Sequence, residues 1–413
     1  MEPAGRFAGG ERLNRRMTTS ATILFSWEIG HGFGHVLPLL PLARAFKAQG
    51  HRVIFALRDV RGAGAMLQKE GFTVLQAPFH PDQFFPADGP QPQSMADILA
   101  IFGFTSEQHL SGMAAAWAGI FKACQPALLI ASYAPLSLLC AREHGVPSVL
   151  MALPFELPAD QHPSPDWRGG VRDHTFDDQV IRTVNAVFDK VQVVSVYDIF
   201  KTEPTYLMTF PELDTFAPRQ AVQYCGGFFV TDVGQSPHWP AESAERPGKV
   251  FAYLNAGLPN LDQLRQAVHG SNLSFCISFR DASPALLAAW QAPNVWISAQ
   301  VLRLDEGLQQ CDAVLNYGSA GLVHASLLAG KPMVMHLQHF EAMLYAQQVV
   351  KLGAGLLPQP ATAAAIAQAL HDVMAQPSYA AAAQRFASQY STYSHSQAIQ
   401  IIAAQALGCI ASL

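Results

Sequence analysis

Gly30-His31-Gly32-Phe33-Gly34-His35-Val36-Leu37-Pro38 follows an apolar run, Ala21 to Trp27, and precedes Leu39, Leu40, Leu42, Ala43 and Phe46 at helical spacing. The run before the turn reads as a buried β-strand, and the pattern after it reads as a helix closing at Gly50. Strand, glycine-rich turn and helix together open a nucleotide-handling α/β domain. Glycines let the backbone approach a ligand closely, and the helix N-terminus behind them favours negative charge. The two histidines in the turn can exchange a proton near neutral pH. The combination points to a transferase rather than to a plain binding fold.

The same alternation continues on both sides of Thr231–Gly248, which is rich in Pro, Ser and Glu and reads as the interdomain linker. Before it, strands are expected at Ile23–Trp27, Val53–Leu57, Thr73–Gln76, Leu128–Ala131, Ser148–Ala152 and Val191–Ser195. The intervening helices are expected at Pro38–Gln49, Ala63–Glu70, Met95–Gln125 and Ser137–His144. After it, strands are expected at Lys249–Leu254, Leu273–Ser278, Val295–Ser298, Ala313–Asn316 and Pro332–His336. This rhythm predicts two doubly wound, parallel-sheet α/β domains of Rossmann type facing a cleft. Residues 1–18 are read as a disordered tail, 19–232 as the first domain, 233–248 as the linker, 249–392 as the second domain and 393–413 as a terminal helix.

Size and composition agree with that division. A chain of 413 residues exceeds one ordinary core, and 50% hydrophobic residues against 14% charged ones fill two. A net charge of -5 without a basic block argues against nucleic acid as a partner. Six cysteines lie far apart with no CxxC, which argues against a metal or disulfide framework and for reduced thiols in the cytoplasm. Ala123–Ala141 is uncharged but interrupted by Gln125, Pro126, Ser132 and Pro135, so it reads as helix end, strand and helix rather than a membrane span. Two long segments, Phe79–Ser94 and Pro154–Asp178, either cover a site or are surface excursions. Their aromatic content places Phe79, Phe85 and Phe155 as acceptor-binding candidates.

A second glycine turn lies in Cys311-Asp312-Ala313-Val314-Leu315-Asn316-Tyr317-Gly318-Ser319-Ala320-Gly321-Leu322. A strand ending at Asn316 and a helix running to Ala329 leave free amides at the turn, which suit a diphosphate, with Ser319 assisting. Gly318, Ser319, Ala320, Gly321 and Leu322 are therefore donor-binding candidates. Strand ends on one side of a parallel sheet converge, so Glu341 faces the same cleft, and Asn255-Ala256-Gly257 lines it after the first strand of the second domain.

Three segments carry a family resemblance: Gly34 to Val53, Asp312 through Gly330-Lys331-Pro332, and His339 to Gly355. Together they resemble GT-B glycosyltransferases of the group that includes UDP-glycosyltransferases and bacterial macrolide or flavonoid glycosyltransferases. The resemblance implies an N-terminal acceptor domain, a C-terminal nucleotide-sugar domain and a terminal helix crossing back to the first. It implies metal-independent, inverting transfer of a sugar, a hexose in the usual case, with a nucleotide diphosphate sugar as co-substrate and no bound cofactor. His35 matches the histidine that serves as general base, while His31 suits phosphate, acceptor or the turn itself.

Several positions depart from that pattern. Ser132 takes the place of the aspartate that usually pairs with the histidine, and is the catalytic candidate beside His35. Three alternatives stay open: another acid such as Glu28 substitutes, the acceptor is already acidic, or catalysis is lost. Ala325 replaces a ribose-binding glutamate, Tyr317 a turn histidine that contacts phosphate, and Glu341-Ala342 an Asp-Gln pair that holds sugar hydroxyls. Val301-Leu302-Arg303-Leu304 stands where a base-framing Trp-x-Pro-Gln is usual, which leaves uridine and thymidine unresolved. The competing readings are a non-catalytic nucleotide-sugar-binding or activating subunit, a glycolipid-forming transferase and a sugar epimerase.

Overall fold

The computed structural model describes residues 20–30, 34–80, 91–168, 173–229, 231–232, 234–337 and 339–411. In the first half, β1 (Thr22–Trp27), β2 (Arg52–Leu57), β3 (Thr73–Gln76), β4 (Leu128–Ala131), β5 (Ser148–Ala152), β6 (Thr205–Leu207) and β7 (Gln223–Tyr224) form one parallel sheet in the order β3-β2-β1-β4-β5-β6-β7. In the second, β8 (Lys249–Asn255), β9 (Ser274–Arg280), β10 (Val295–Ser298), β11 (Ala313–Asn316), β12 (Met333–Met335) and β13 (Gly355–Leu356) form another in the order β10-β9-β8-β11-β12-β13. Helices cover both sheets, so central strands are apolar on both faces, as Ile23, Leu24 and Phe25 of β1 and Leu128, Leu129 and Ile130 of β4 show by their complete burial.

Each sheet reverses strand order once, between β1 and β4 in the first and between β8 and β11 in the second. The loops leaving paired strands diverge at such a point and open a crevice at the carboxyl ends. His35 follows β1 there, Ser132 and Tyr133 follow β4, Asn255 closes β8 and Gly318 follows β11.

Two sequence expectations give way. Val191–Ser195 has no ladder partner, because Asn185 uses its side chain to accept from Val193 N (2.8 Å) and donate to Val193 O (2.9 Å), occupying the groups a sheet would need. The sheet continues instead through the short β6 and β7. The single helix expected over Met95–Gln125 is two, Met95–Ile101 and Glu107–Cys124. Gly103 at φ +85° breaks the first, and Ser106 caps the second by accepting from His109 N (3.3 Å).

Two connections tie the halves together. Phe210, just after β6, is buried among Tyr390, Phe386, Tyr393 and His324, with ring centroids 4.3, 5.2, 5.4 and 5.7 Å away. Next to it, Glu212 accepts from Gln389 Nε2 (2.6 Å) and Tyr390 Oη (2.6 Å). In the other direction, helix His395–Ala411 buries Ile399, Ile402, Ala403 and Ala406 in the core of the first sheet and packs on helix Leu40–Ala48.

Phe210→Ala removes a buried aromatic anchor and is expected to cost about 3–5 kcal/mol. A urea unfolding curve reads this as a lowered midpoint, and an unchanged midpoint would show that the ring packs without consequence.

Candidate active site

His35 lies in the turn between β1 and a 3-10 segment, Leu37–Leu39, which Pro38 starts and which runs into helix Leu40–Ala48. The imidazole is 7% exposed and lies between Trp27 (centroid 5.6 Å, interplanar 20°) and Tyr133 (5.6 Å, 43°). Tyr133 sits at φ +46°, and its carbonyl accepts from Ile29 N (3.0 Å) and Glu28 N (3.3 Å), which pins the loop after β4 to the loop after β1. Gly30, at φ +94°, faces the ring edge so closely that a Cβ there would collide with His35 Nε2.

The other ring nitrogen meets a carboxylate. His35 Nδ1 is 2.7 Å from Glu156 Oε1, and Glu156 is 1% exposed. Its second oxygen accepts from Leu153 N at 2.9 Å. An ionised carboxylate only accepts, so Nδ1 carries the proton and Nε2 of the neutral ring is left with its lone pair. Burial alone would lower the imidazole pKa, but the Glu156 hydrogen bond and the charges of Glu156 and Glu341 outweigh it and hold it above the ordinary value.

This replaces the expected role of Ser132. Its hydroxyl is fully buried with no hydrogen-bond partner among the described residues, and its amide donates to Ser26 O (3.0 Å). Glu28, the acid named as a substitute, is not the partner either. Its carboxyl accepts from Leu136 N and Ser137 N (2.8 Å each) at the start of helix Pro135–His144. Burial pushes its pKa up to about 8 against the pull of those two amides. Glu156 takes that place, and its only mark in the sequence is an acid shortly after Pro154, beside Phe155, at the end of an apolar strand.

The second glycine turn is built as the sequence suggested. Asn316 Oδ1 accepts from Gly318 N (2.7 Å), and Gly318 is at φ +81°, where a Cβ would press on Ala342 Cβ (2.8 Å) and Leu337 Cδ2 (2.9 Å). Helix Ala320–Leu328 begins there with Ser319 at its cap position, whose side chain makes no capping hydrogen bond. The first-turn amides, at Ala320, Gly321 and Leu322, have no intrahelical acceptor and are available to an anion. Tyr317 is half-buried between the two apolar clusters of the second half. Asn255 Oδ1 accepts from Gly257 N (2.8 Å), at the end of the neighbouring strand. Ala325 is buried, and His324 beside it is held by Thr209 Oγ1 (3.0 Å), with burial pushing its pKa down to about 3.

Glu341 joins the two halves electrically. It stands in the first turn of helix Phe340–Lys351, and its pKa is raised to about 7 by burial and by the charge of Glu156, with His35 opposing. An aromatic wall runs along the same seam: Tyr133–Phe155 (6.4 Å), Phe155–Trp167 (4.7 Å) and Trp167–Phe340 (6.3 Å), with the Arg168 guanidinium 4.3 Å over Phe340. Phe155 is thus in the His35 cluster. Phe79 is not: it is 52% exposed in a groove of about 690 Å³ with His80, His109 and Met113 along helix Glu107–Cys124, and no described ring contact links it to His35. His31 and Phe85 lie outside the described residues. Among the described residues, no three His, Cys, Asp or Glu side chains gather as a metal-binding group, and no helix is long and apolar enough to cross a membrane.

Comparison with known proteins agrees with this layout. Residues 283–402 match the family described as erythromycin biosynthesis protein CIII-like, C-terminal domain. The whole fold is similar to CalG4, the calicheamicin glycosyltransferase, with TM-score 0.72 and 18% identity over 95% of this chain and 99% of that one. It is also similar to the glycosyltransferase VinC in complex with DTDP (TM-score 0.69, 19% identity, 95% and 100% covered). A third similar structure is the spinosyn rhamnosyltransferase SpnG complexed with thymidine diphosphate (TM-score 0.63, 18% identity, 92% and 98% covered). No curated protein sequence matches the chain. The architecture is thus that of the GT-B glycosyltransferases to which the chain is similar.

The carboxyl at 341 makes a pH prediction. The folded chain holds the Glu341 proton more tightly than the unfolded chain, so ionising it costs stability. That cost is absent below the ordinary value of 4.5 and grows until the pH reaches about 7. Glu341→Gln should therefore gain on the wild type as pH rises through this window. Melting curves at about pH 5 and about pH 7.5 measure the gap, and a gap that shrinks with pH contradicts the assignment.

Proposed function

We propose that the protein transfers a sugar from a nucleoside diphosphate to a hydroxyl of a small, largely apolar acceptor, with inversion at the anomeric carbon and without a metal. The observation that carries this reading is the buried His35–Glu156 pair, which leaves Nε2 as the basic nitrogen of a ring that also feels the charge of Glu341 from the second half. Nε2 takes the acceptor's proton as its oxygen bonds to the anomeric carbon. The bond from that carbon to the diphosphate oxygen breaks on the opposite face, hence inversion. Glu156 balances the imidazolium that forms.

The diphosphate leaves with added negative charge. The amides of Ala320, Gly321 and Leu322, at the positive end of helix Ala320–Leu328, stabilise it, with Gly318 and the Ser319 hydroxyl at the same turn. Glu341, half-protonated near neutral pH, both donates to and accepts from sugar hydroxyls, and Asn255, Gly257 and Tyr317 line the remaining donor side. Phe155, with Tyr133, Trp167 and Phe340, supplies an apolar wall for the acceptor. VinC in complex with DTDP and SpnG complexed with thymidine diphosphate favour a thymidine over a uridine donor here. Ser132 and Ala325 are the features that favour a binding-only subunit, and the carboxylate of Glu156 beside His35 removes the support from Ser132.

A panel of thymidine and uridine diphosphate sugars, read by thermal shift and then by turnover with polycyclic and simple alcohols, tests this. His35→Ala should lose about 10²–10⁴-fold in kcat/KM while keeping donor stabilisation. Gly30→Ala should lose activity in the same way, because its methyl displaces Nε2. Full activity in His35→Ala sinks the base assignment, and stabilisation by no donor sinks the donor site.

A further inference from the structure

Glu156 stands on a three-residue 3-10 turn, Pro154–Glu156, which is too short to hold a carboxylate against a neighbouring ring by its own hydrogen bonds. The hold comes from later in the chain. Arg219 Nη2 donates to Pro154 O (2.8 Å), and its Nη1 donates to Leu157 O (2.7 Å) and Pro158 O (3.0 Å). These carbonyls bracket Glu156 on both sides. The remaining donors go to Asp214, from Nε to Oδ2 (2.7 Å) and from Nη2 to Oδ1 (3.2 Å). All five N–H groups of the guanidinium are thus in use.

Asp214 is equally committed. Besides Arg219 it accepts from Tyr224 Oη (2.8 Å) and Phe216 N (2.9 Å), and the Arg219 and Asp214 side chains are 5% and 0% exposed. A buried ion pair is poor evidence of stabilisation, since desolvation offsets most of the attraction. Its geometry is better evidence of specificity: a planar fork with fixed directions ties three carbonyls to one carboxylate, which a lysine with three donors on a flexible stem cannot reproduce. Asp214 also follows Leu213 and Phe210, which are buried in the second half, so the clamp links the turn of Glu156 to the segment docked there.

We propose that Arg219, held by Asp214, is a positioning residue for the transfer: it fixes the Pro154–Pro158 turn so that Glu156 meets His35 Nδ1. The catalytic part of this rests on the reading of His35 as the base. Besides Glu156, the titratable groups facing His35 are Tyr133 after β4 and Glu341 and His339 at the start of helix Phe340–Lys351. The five donors of Arg219 reach none of these, so its effect on the ring passes through Glu156.

The test follows the His35 ring by NMR titration, its signal assigned by its loss in His35→Gln, alongside steady-state kinetics. Arg219→Lys keeps the charge beside Asp214 and loses the fork. The double variant Asp214→Asn with Arg219→Met removes both charges, so neither is left orphaned. In both, the expected result is a cooperative fold, a His35 midpoint lowered by about one unit, and kcat reduced about tenfold with the acceptor KM little changed. Simple loss of a nearby positive charge would move the midpoint the other way. An unchanged midpoint in folded variants overturns the proposal, and so does failure of both to fold, which would make the pair a determinant of the fold instead. A lowered midpoint with unaltered kcat supports the clamp and overturns His35 as the base.

Discussion

Burying a carboxylate is costly unless each oxygen finds a donor, and Glu156 meets that demand with the His35 ring on one side and Leu153 N on the other. Much of the first half's cleft edge is arranged around that requirement. Trp27 and Tyr133 confine the imidazole, and Tyr133 in turn adopts a left-handed backbone that lets its carbonyl receive two amides from the loop after β1. Gly30 supplies clearance where a side chain would strike Nε2. The result is a ring with one edge committed to Glu156 and, among the described residues, no hydrogen-bond partner at the other.

The two sides of the cleft use different materials. The first half presents side chains held by other side chains. The second presents backbone amides at the Gly318 turn, the groups that the proposed reading gives to the diphosphate. That division explains why substitutions such as Ala325 and Tyr317 leave the turn intact. Its conformation depends on Gly318 and on the Asn316 contact, not on the residues that differ from the wider pattern.

The parts of this arrangement legible in the sequence are those set by local rules. Apolar runs marked ten of the eleven expected strands within a residue or two, and both glycine turns lie where a strand hands over to a helical segment. What escaped depends on contacts between distant residues. Asn185 cancels the strand at Val191–Ser195 with two hydrogen bonds that no periodicity reveals, and β6 is only three residues long. Glu156 lies next to Phe155 in the sequence, but only the fold shows which of Ser132, Glu28 and Glu156 reaches the ring. Phe79 has the aromatic type expected of an acceptor wall, yet it lines a groove with His80, His109 and Met113.

The terminal helix has a consequence for synthesis. Ile399, Ile402, Ala403 and Ala406 complete the core of a sheet whose first strand is at Thr22–Trp27. The N-terminal unit of a growing chain ordinarily folds as soon as it emerges. Here the side of helix Leu40–Ala48 that meets helix His395–Ala411 gains its cover only after the whole second sheet has been made. The first sheet is thus completed by a segment that follows the second, and the chain supplies that cover itself.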